Sequence, residues 1–116
     1  IKECTIHGVH IQVLSTVPVM FSYWAKAEDT LAVSEFLNDH IAGIVARYPD
    51  RFTGLATVPL QDVKLAIREL ERCMKELGMA GVQIGSNVNQ KNLSEPEFFE
   101  FFEAAQELGA AVFIHP

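Results

Sequence analysis

Ala110-Ala111-Val112-Phe113-Ile114-His115-Pro116 ends the chain, and the reading of this stretch decides the fold. Small and β-branched apolar residues follow a helix-ending Leu108-Gly109, as in a strand covered on both faces, and Pro116 lacks the donor needed to extend its pairing. His115 is therefore expected at the carboxyl end of a strand. In folds made of parallel strands, ligands and catalytic groups gather at that end, because the loops vary there while the sheet holds them still.

Upstream, the same logic finds three more strands, at residues 9–15, 51–58 (closed by Pro59) and 81–85, with the polar loop 86–92 after the third. Gly54 inside the second strand implies close approach by a neighbouring group. Helical periodicity fills the gaps between strands. The first helix is capped by Asp29 or Thr30 and has an apolar stripe of Val33, Phe36, Leu37, Ile41, Ile44, Val45 and Tyr48, expected to be buried. His40 lies on or beside that stripe as a structural residue. In the second helix Val63, Ala66, Leu70, Cys73 and Leu77 face inward, Glu69, Arg72 and the other charges form a solvated face, and Gly78 ends it. Ser94-Glu95-Pro96-Glu97 has the spacing of a capping box before a third helix with Phe98, Phe101, Phe102, Ala105 and Leu108 inside and Phe99 left for a neighbouring helix.

The resulting β-α-β-α-β-α-β order predicts an α/β fold of consecutive β-α units, with parallel strands joined by right-handed crossovers. Four such strands suit a small open sheet or part of an eight-stranded (β/α)8 TIM-type barrel. A half barrel would have two unpaired edges and an uncovered inner face, so it requires further sequence. Ile1-Lys2-Glu3-Cys4-Thr5-Ile6-His7-Gly8 reads as the last turns of a helix whose start is missing, which suggests a segment of a longer protein.

The 116 residues, 49% of them hydrophobic, suffice for the core of one domain. A net charge of −6 without a basic run argues against nucleic acid or anionic membrane as a partner. No apolar run reaches the roughly 18 residues of a membrane span. Cys4 and Cys73 suggest no disulfide framework, which fits a reducing, cytoplasmic setting.

For chemistry, His115 is the one histidine expected at a carboxyl strand end, suited to ligate a metal, to move a proton, or simply to pack. His7 and His10 straddle Gly8 at the other end of the sheet and read as structural. The loop 16–26 is unusually apolar: Met20, Phe21, Tyr23 and Trp24 could wall a substrate pocket or pack on the barrel or a subunit interface. Ser15, Thr16, Thr57, Gln83 and Ser86 sit near carboxyl strand ends, able to orient a ligand or to satisfy backbone groups, the commoner role. No nucleophile elbow, phosphate loop, dinucleotide fingerprint or Cys-x-x-Cys pair is present.

Val13-Leu14-Ser15-Thr16-Val17-Pro18-Val19-Met20-Phe21-Ser22-Tyr23-Trp24-Ala25-Lys26, Gly81-Val82-Gln83-Ile84-Gly85 and Phe113-Ile114-His115-Pro116 together resemble decarboxylases of the metal-dependent amidohydrolase superfamily. Glu71-Arg72-Cys73-Met74-Lys75-Glu76-Leu77-Gly78 fits the same pattern. The resemblance implies a distorted (β/α)8 barrel, of which residues 1–116 form one partial domain lacking the first and last strands. It also implies zinc at the carboxyl mouth, a small-molecule substrate, non-oxidative decarboxylation in tryptophan catabolism through kynurenine, and a homo-oligomeric full-length protein. In that family zinc is held by a His-x-His pair, a histidine in a His-Pro motif and a late aspartate. His115 matches the His-Pro histidine. The other ligands, the acid/base histidine and the carboxylate-binding arginines would lie outside this chain, so the 116 residues alone are expected neither to bind zinc stoichiometrically nor to decarboxylate. A sister decarboxylase or hydrolase on the same barrel, and a non-catalytic association domain, remain as alternatives.

Overall fold

The computed structural model describes residue 8, residues 11–16 and residues 21–116. Cys4, His7, His10 and Met20 lie outside the described residues. Four parallel strands, β1 (Gln12–Leu14), β2 (Phe52–Ala56), β3 (Gly81–Gly85) and β6 (Ala111–His115), form one sheet in the order β1-β2-β3-β6. Each new strand is laid beside its predecessor in the sheet, and the sheet curls into half a barrel. The crossovers are helices α1 (Ala27–Arg47), α2 (Val63–Lys75) and α3 (Phe99–Leu108), the last entered through a 3-10 turn at Pro96–Phe98.

Alternation along the strands sorts side chains between two faces. Gly54, Ala56, Val82 and Ile84 turn toward the helices and meet Leu70, Phe101 and their neighbours in the core. The close approach implied by Gly54 is present: a Cβ there would lie 2.7 Å from Met79 Sδ and 2.8 Å from Ile41 Cγ2. Thr53, Leu55, Gln83, Phe113 and His115 alternate onto the concave face.

β6 departs from the expected strand covered on both faces. Phe113 is 53% and Ile114 49% exposed, and among the described residues β6 has a neighbour only on its β3 side. β1 forms the other edge and leaves Val13 exposed.

α1 corrects the expected stripe in part: Ile41 is buried and Val45 packs against the core as expected, but other members of the stripe face outward. Its buried residues are Thr30, Ser34, Asn38 and Ile41, whereas Phe36 is 72% exposed and Val33 and Tyr48 are also exposed. The inward face is polar because the sheet beneath it has backbone groups to satisfy. β1 pairs with β2 only as far as Leu14 and Gly54, and beyond that point Asn38 takes the place of a strand. It accepts from Thr57 N at 2.8 Å and donates to Thr57 O at 2.8 Å and Glu69 Oε2 at 2.7 Å. Asp29 and Thr30 do not cap this helix; Lys26 holds the cap position, and Thr30 Oγ1 instead donates to Ser22 O at 2.9 Å.

Glu69 is likewise no part of a solvated face. It is buried beneath Arg72, whose Nε and second guanidinium nitrogen donate to it at 2.7 and 2.8 Å while the third nitrogen reaches Asp39. The hydrogen bonds that Arg72 donates to Glu69 hold its proton more tightly than usual. Burial, with Glu69 alongside, pushes the Cys73 thiol well up.

Asp62 caps α2 by accepting from Leu65 N at 3.1 Å. The capping box at Ser94 does not form: Glu95 precedes the 3-10 turn without a side-chain bond, and Glu97 pairs with Lys91 at 3.1 Å. The inner stripe of α3 is as expected, with Phe98, Phe101 and Ala105 buried; Phe99 stays 67% exposed. Gly109 ends α3 at φ 69, where any other residue would be strained.

Candidate active site

A cavity of about 570 Å³ opens at the carboxyl ends of β3 and β6. Phe21, Tyr23 and Trp24 line one side, Asn89 and Gln90 another, and His115 the base of the strand edge. The expected site residues that are described thus meet in one place. Their roles there differ from one another.

Trp24 is 83% exposed and presents its indole to the opening. Phe21 and Tyr23 are buried and stacked, with ring centroids 5.5 Å apart and planes at 18°. The Tyr23 hydroxyl is already engaged, accepting from Gly85 N at 3.2 Å. Burial pushes its pKa up to about 12 against the opposing pull of that bond. Tyr23 therefore supports the wall with a neutral phenol; it is not a proton carrier at ordinary pH. A Cβ at Gly85 would crowd this contact, 3.2 Å from Asn87 O and 3.3 Å from a Tyr23 ring carbon, with Phe21 at an ordinary 3.5 Å.

The loop 86–92, expected to be only polar, contains a short hairpin, β4 (Asn87–Val88) and β5 (Lys91–Asn92). Asn89 and Gln90 turn it, at φ 50 and 72. The turn closes the rim of the cavity, because Asn89 Nδ2 donates to Tyr23 O at 2.8 Å. A two-residue polar turn between short runs was the available sequence signal, weakened by strands of two residues. The aromatic loop is pinned from the other side by Gln61, whose amide donates to Thr30 Oγ1 at 2.8 Å and Ala25 O at 3.1 Å.

His115 is paired in register with Gly85, and its backbone O accepts from Ser86 N at 2.9 Å, so β3 fixes the strand that carries it. Its Nδ1 lies 3.0 Å from Pro116 O. In the tautomer in which Nδ1 donates to that oxygen, Nε2 has a lone pair for a cation or a proton. In kind, such an imidazole could ligate a metal ion. In number it falls short: among the described residues no three His, Cys, Asp or Glu side chains come together to hold a metal ion. Thr57 and Gln83 do not satisfy backbone groups as expected of them; the Thr57 hydroxyl and the Gln83 amide oxygen are buried and without a partner. No helix of the described residues is long and apolar enough to cross a membrane.

A parallel half barrel with a histidine and an aromatic wall at its carboxyl mouth is the architecture of an amidohydrolase-type barrel, and the amidohydrolase family profile matches residues 7–116. The chain belongs to that family. More particularly, it is 57% identical over all 116 residues to 2-amino-3-carboxymuconate-6-semialdehyde decarboxylase of Dictyostelium discoideum, covering 32% of that protein. The 5-carboxyvanillate decarboxylase of Sphingomonas paucimobilis superposes with a TM-score of 0.91 at 35% identity, over 99% of this chain and 34% of that one. The dihydroxybenzoic acid decarboxylase of Polaromonas sp. JS666, solved with manganese and 2-nitroresorcinol, gives 0.89 at 31% identity, over 99% and 36%. The chain spans about a third of the length of each.

Proposed function

We propose that this chain is one arc of a zinc-dependent carboxy-lyase that removes carbon dioxide from 2-amino-3-carboxymuconate 6-semialdehyde in the kynurenine route of tryptophan degradation. The observation that carries this reading is the meeting of His115 with Phe21, Tyr23 and Trp24 around one cavity at the carboxyl strand ends, supported by the 57% identity over the whole chain. His115 would hold the metal through Nε2, with the remaining ligands contributed from outside residues 1–116. With His115 among its ligands, such a metal would supply Lewis-acid activation of a bound water. This chain's own part is to orient the imidazole through the Gly85 register and Pro116 O, and to offer a flat aromatic wall to a conjugated carboxylate. Met20, outside the described residues, is proposed as a substrate-binding residue on the sequence alone. A cytoplasmic location and a homo-oligomeric full-length protein belong to the same proposal, on the resemblance to the family.

The test is the full-length protein and its His115→Ala variant, assayed for bound zinc and for consumption of the semialdehyde with carbon dioxide release. Loss of metal together with at least a hundredfold loss of rate is expected; a variant that keeps both sinks the assignment. A second reading, decarboxylation of an aromatic acid, draws on the TM-scores near 0.9 to two such enzymes. Turnover of 2,6-dihydroxybenzoate or 5-carboxyvanillate in preference to the semialdehyde would favour it.

A further inference from the structure

A residue with a strained backbone stands on the rim of the mouth. Asn89 and Gln90 are the two central residues of the β4-β5 hairpin, and both have positive φ, 50 and 72. A two-residue hairpin of this kind favours asparagine followed by glycine, because glycine takes the left-handed conformation without a steric cost. Asn89 meets the first preference, and its amide is spent in donating to Tyr23 O at 2.8 Å. Gln90 departs from the second. Buried Val88 and the Asn89 bond hold the turn in place, so a long side chain is kept where the backbone would be easier without one. That side chain is exposed and lines the cavity of about 570 Å³ together with Trp24 and His115. No group among the described residues hydrogen-bonds its carboxamide. Strain of this kind is tolerated where the strained residue has work to do at a site.

The charge of the mouth narrows what that work is. Among the described residues no lysine, arginine, aspartate or glutamate lines the cavity; beside the aromatic wall stand Ser22, Ser86, Asn87 and Gln90. Lys91, next in sequence, is paired with Glu97 at 3.1 Å. A carboxamide both donates and accepts, which suits a neutral polar group better than a carboxylate.

We propose that Gln90 is a specificity-determining residue of the mouth, its carboxamide hydrogen-bonding an uncharged carbonyl, amino or hydroxyl group on a planar conjugated acid that lies against the aromatic wall. This rests on the decarboxylase reading and deepens it: the arc meets the neutral edge of the substrate, and the carboxylates are met elsewhere. Because the contact is the same before and during reaction, it acts on KM and leaves kcat nearly alone.

The experiment uses the full-length metal-loaded protein and the acid it decarboxylates, the semialdehyde or 2,6-dihydroxybenzoate, with KM, kcat and melting temperature measured for each variant. Gln90→Leu keeps the length and the strained turn but loses the amide; KM should rise about fivefold or more, the worth of one hydrogen bond, with kcat within about twofold. Gln90→Gly should raise KM as much without lowering the melting temperature, because the turn gains the residue it favours. A residue serving only the fold would lose stability whenever it lost affinity. Unchanged KM in Gln90→Leu overturns the inference while leaving decarboxylation intact, and so does a rise in KM in Gln90→Gly that comes with a lowered melting temperature. Gln90→Lys in high salt, where long-range attraction is screened, should not improve on the unaltered KM; a lower KM would mean that a carboxylate faces the rim, and overturns the neutral edge. An unaltered protein that decarboxylates neither acid overturns the reading of the mouth and this inference with it.

Discussion

The phenol of Tyr23 accepts the backbone N–H of Gly85 at 3.2 Å, across 62 residues of sequence, and ties the aromatic loop to the strand beside His115. Burial keeps the phenol neutral, against the pull of the bond, which favours the phenolate. In the unfolded chain Tyr23 loses its proton near pH 10, and in the fold only near about 12. A group whose pKa is raised on folding contributes stability that is fully present below the unfolded value and is lost as pH rises through the folded one. Between pH 10 and 12 the unfolding free energy should therefore fall by an amount on the order of 2–3 kcal/mol from this residue. Tyr23→Phe should lose about 1 kcal/mol at pH 7 and show a shallower alkaline decline. Urea unfolding at pH 8 and pH 11 measures both; parallel pH curves for the two proteins contradict the account.

Gly85→Ala tests the other half of the same contact. The new methyl would press on Asn87 O, Tyr23 and Phe21 at 3.2–3.5 Å, and two of these three neighbours are buried rings with little room to retreat. A loss of about 1–3 kcal/mol is expected, with altered near-ultraviolet circular dichroism from the disturbed Phe21-Tyr23 stack. Unchanged stability together with an unchanged spectrum would show that the loop is not seated on β3 as described.

Asn38 should be among the costliest polar positions to change. Asn38→Ala strands Thr57 N and O at the end of β2 and removes a donor from buried Glu69, for an expected loss of about 2–4 kcal/mol by thermal or urea unfolding. Asn38→Leu keeps the volume and should fare no better, since the lost groups are polar. Near-native stability in the leucine variant would mean that another group takes over the Thr57 backbone.

The contrast between α1 and β3 shows which physics is written in local sequence. Gly81–Gly85 was legible to the residue, because Val82 and Ile84 alternate with Gly81, Gln83 and Gly85 between a helix terminator and a polar loop. α3 was legible too, its phenylalanines recurring on one face. On α1 the same periodic rule pointed Val33 and Phe36 inward, but the inward face is set by Thr57 and Glu69, which the rule does not see. Glu69 was placed outside for the same reason: whether a charge is buried depends on an arginine one turn away and an asparagine 31 residues away. At the site, His115 and the aromatic loop could be named from strand ends and composition. That the Tyr23 hydroxyl is spent on a backbone N–H, and that Gln83 is left with an open acceptor, follow only from the register between strands.

Zinc titrated into the 116-residue chain tests how the candidate site divides between this arc and the rest of a barrel. Catalytic zinc needs three protein ligands or more at about 2.0–2.2 Å, and among the described residues His115 has no His, Cys, Asp or Glu pair with which to complete such a set. One imidazole with a free Nε2 gives a weak, exchangeable contact, so calorimetry should show heat that does not saturate at one equivalent, and no rise in melting temperature at stoichiometric metal. His115→Ala should abolish even that small heat. A tight one-to-one isotherm lost in the His115→Ala variant would mean that the chain carries further ligands of its own, and the division of the centre between this chain and outside residues would have to be abandoned.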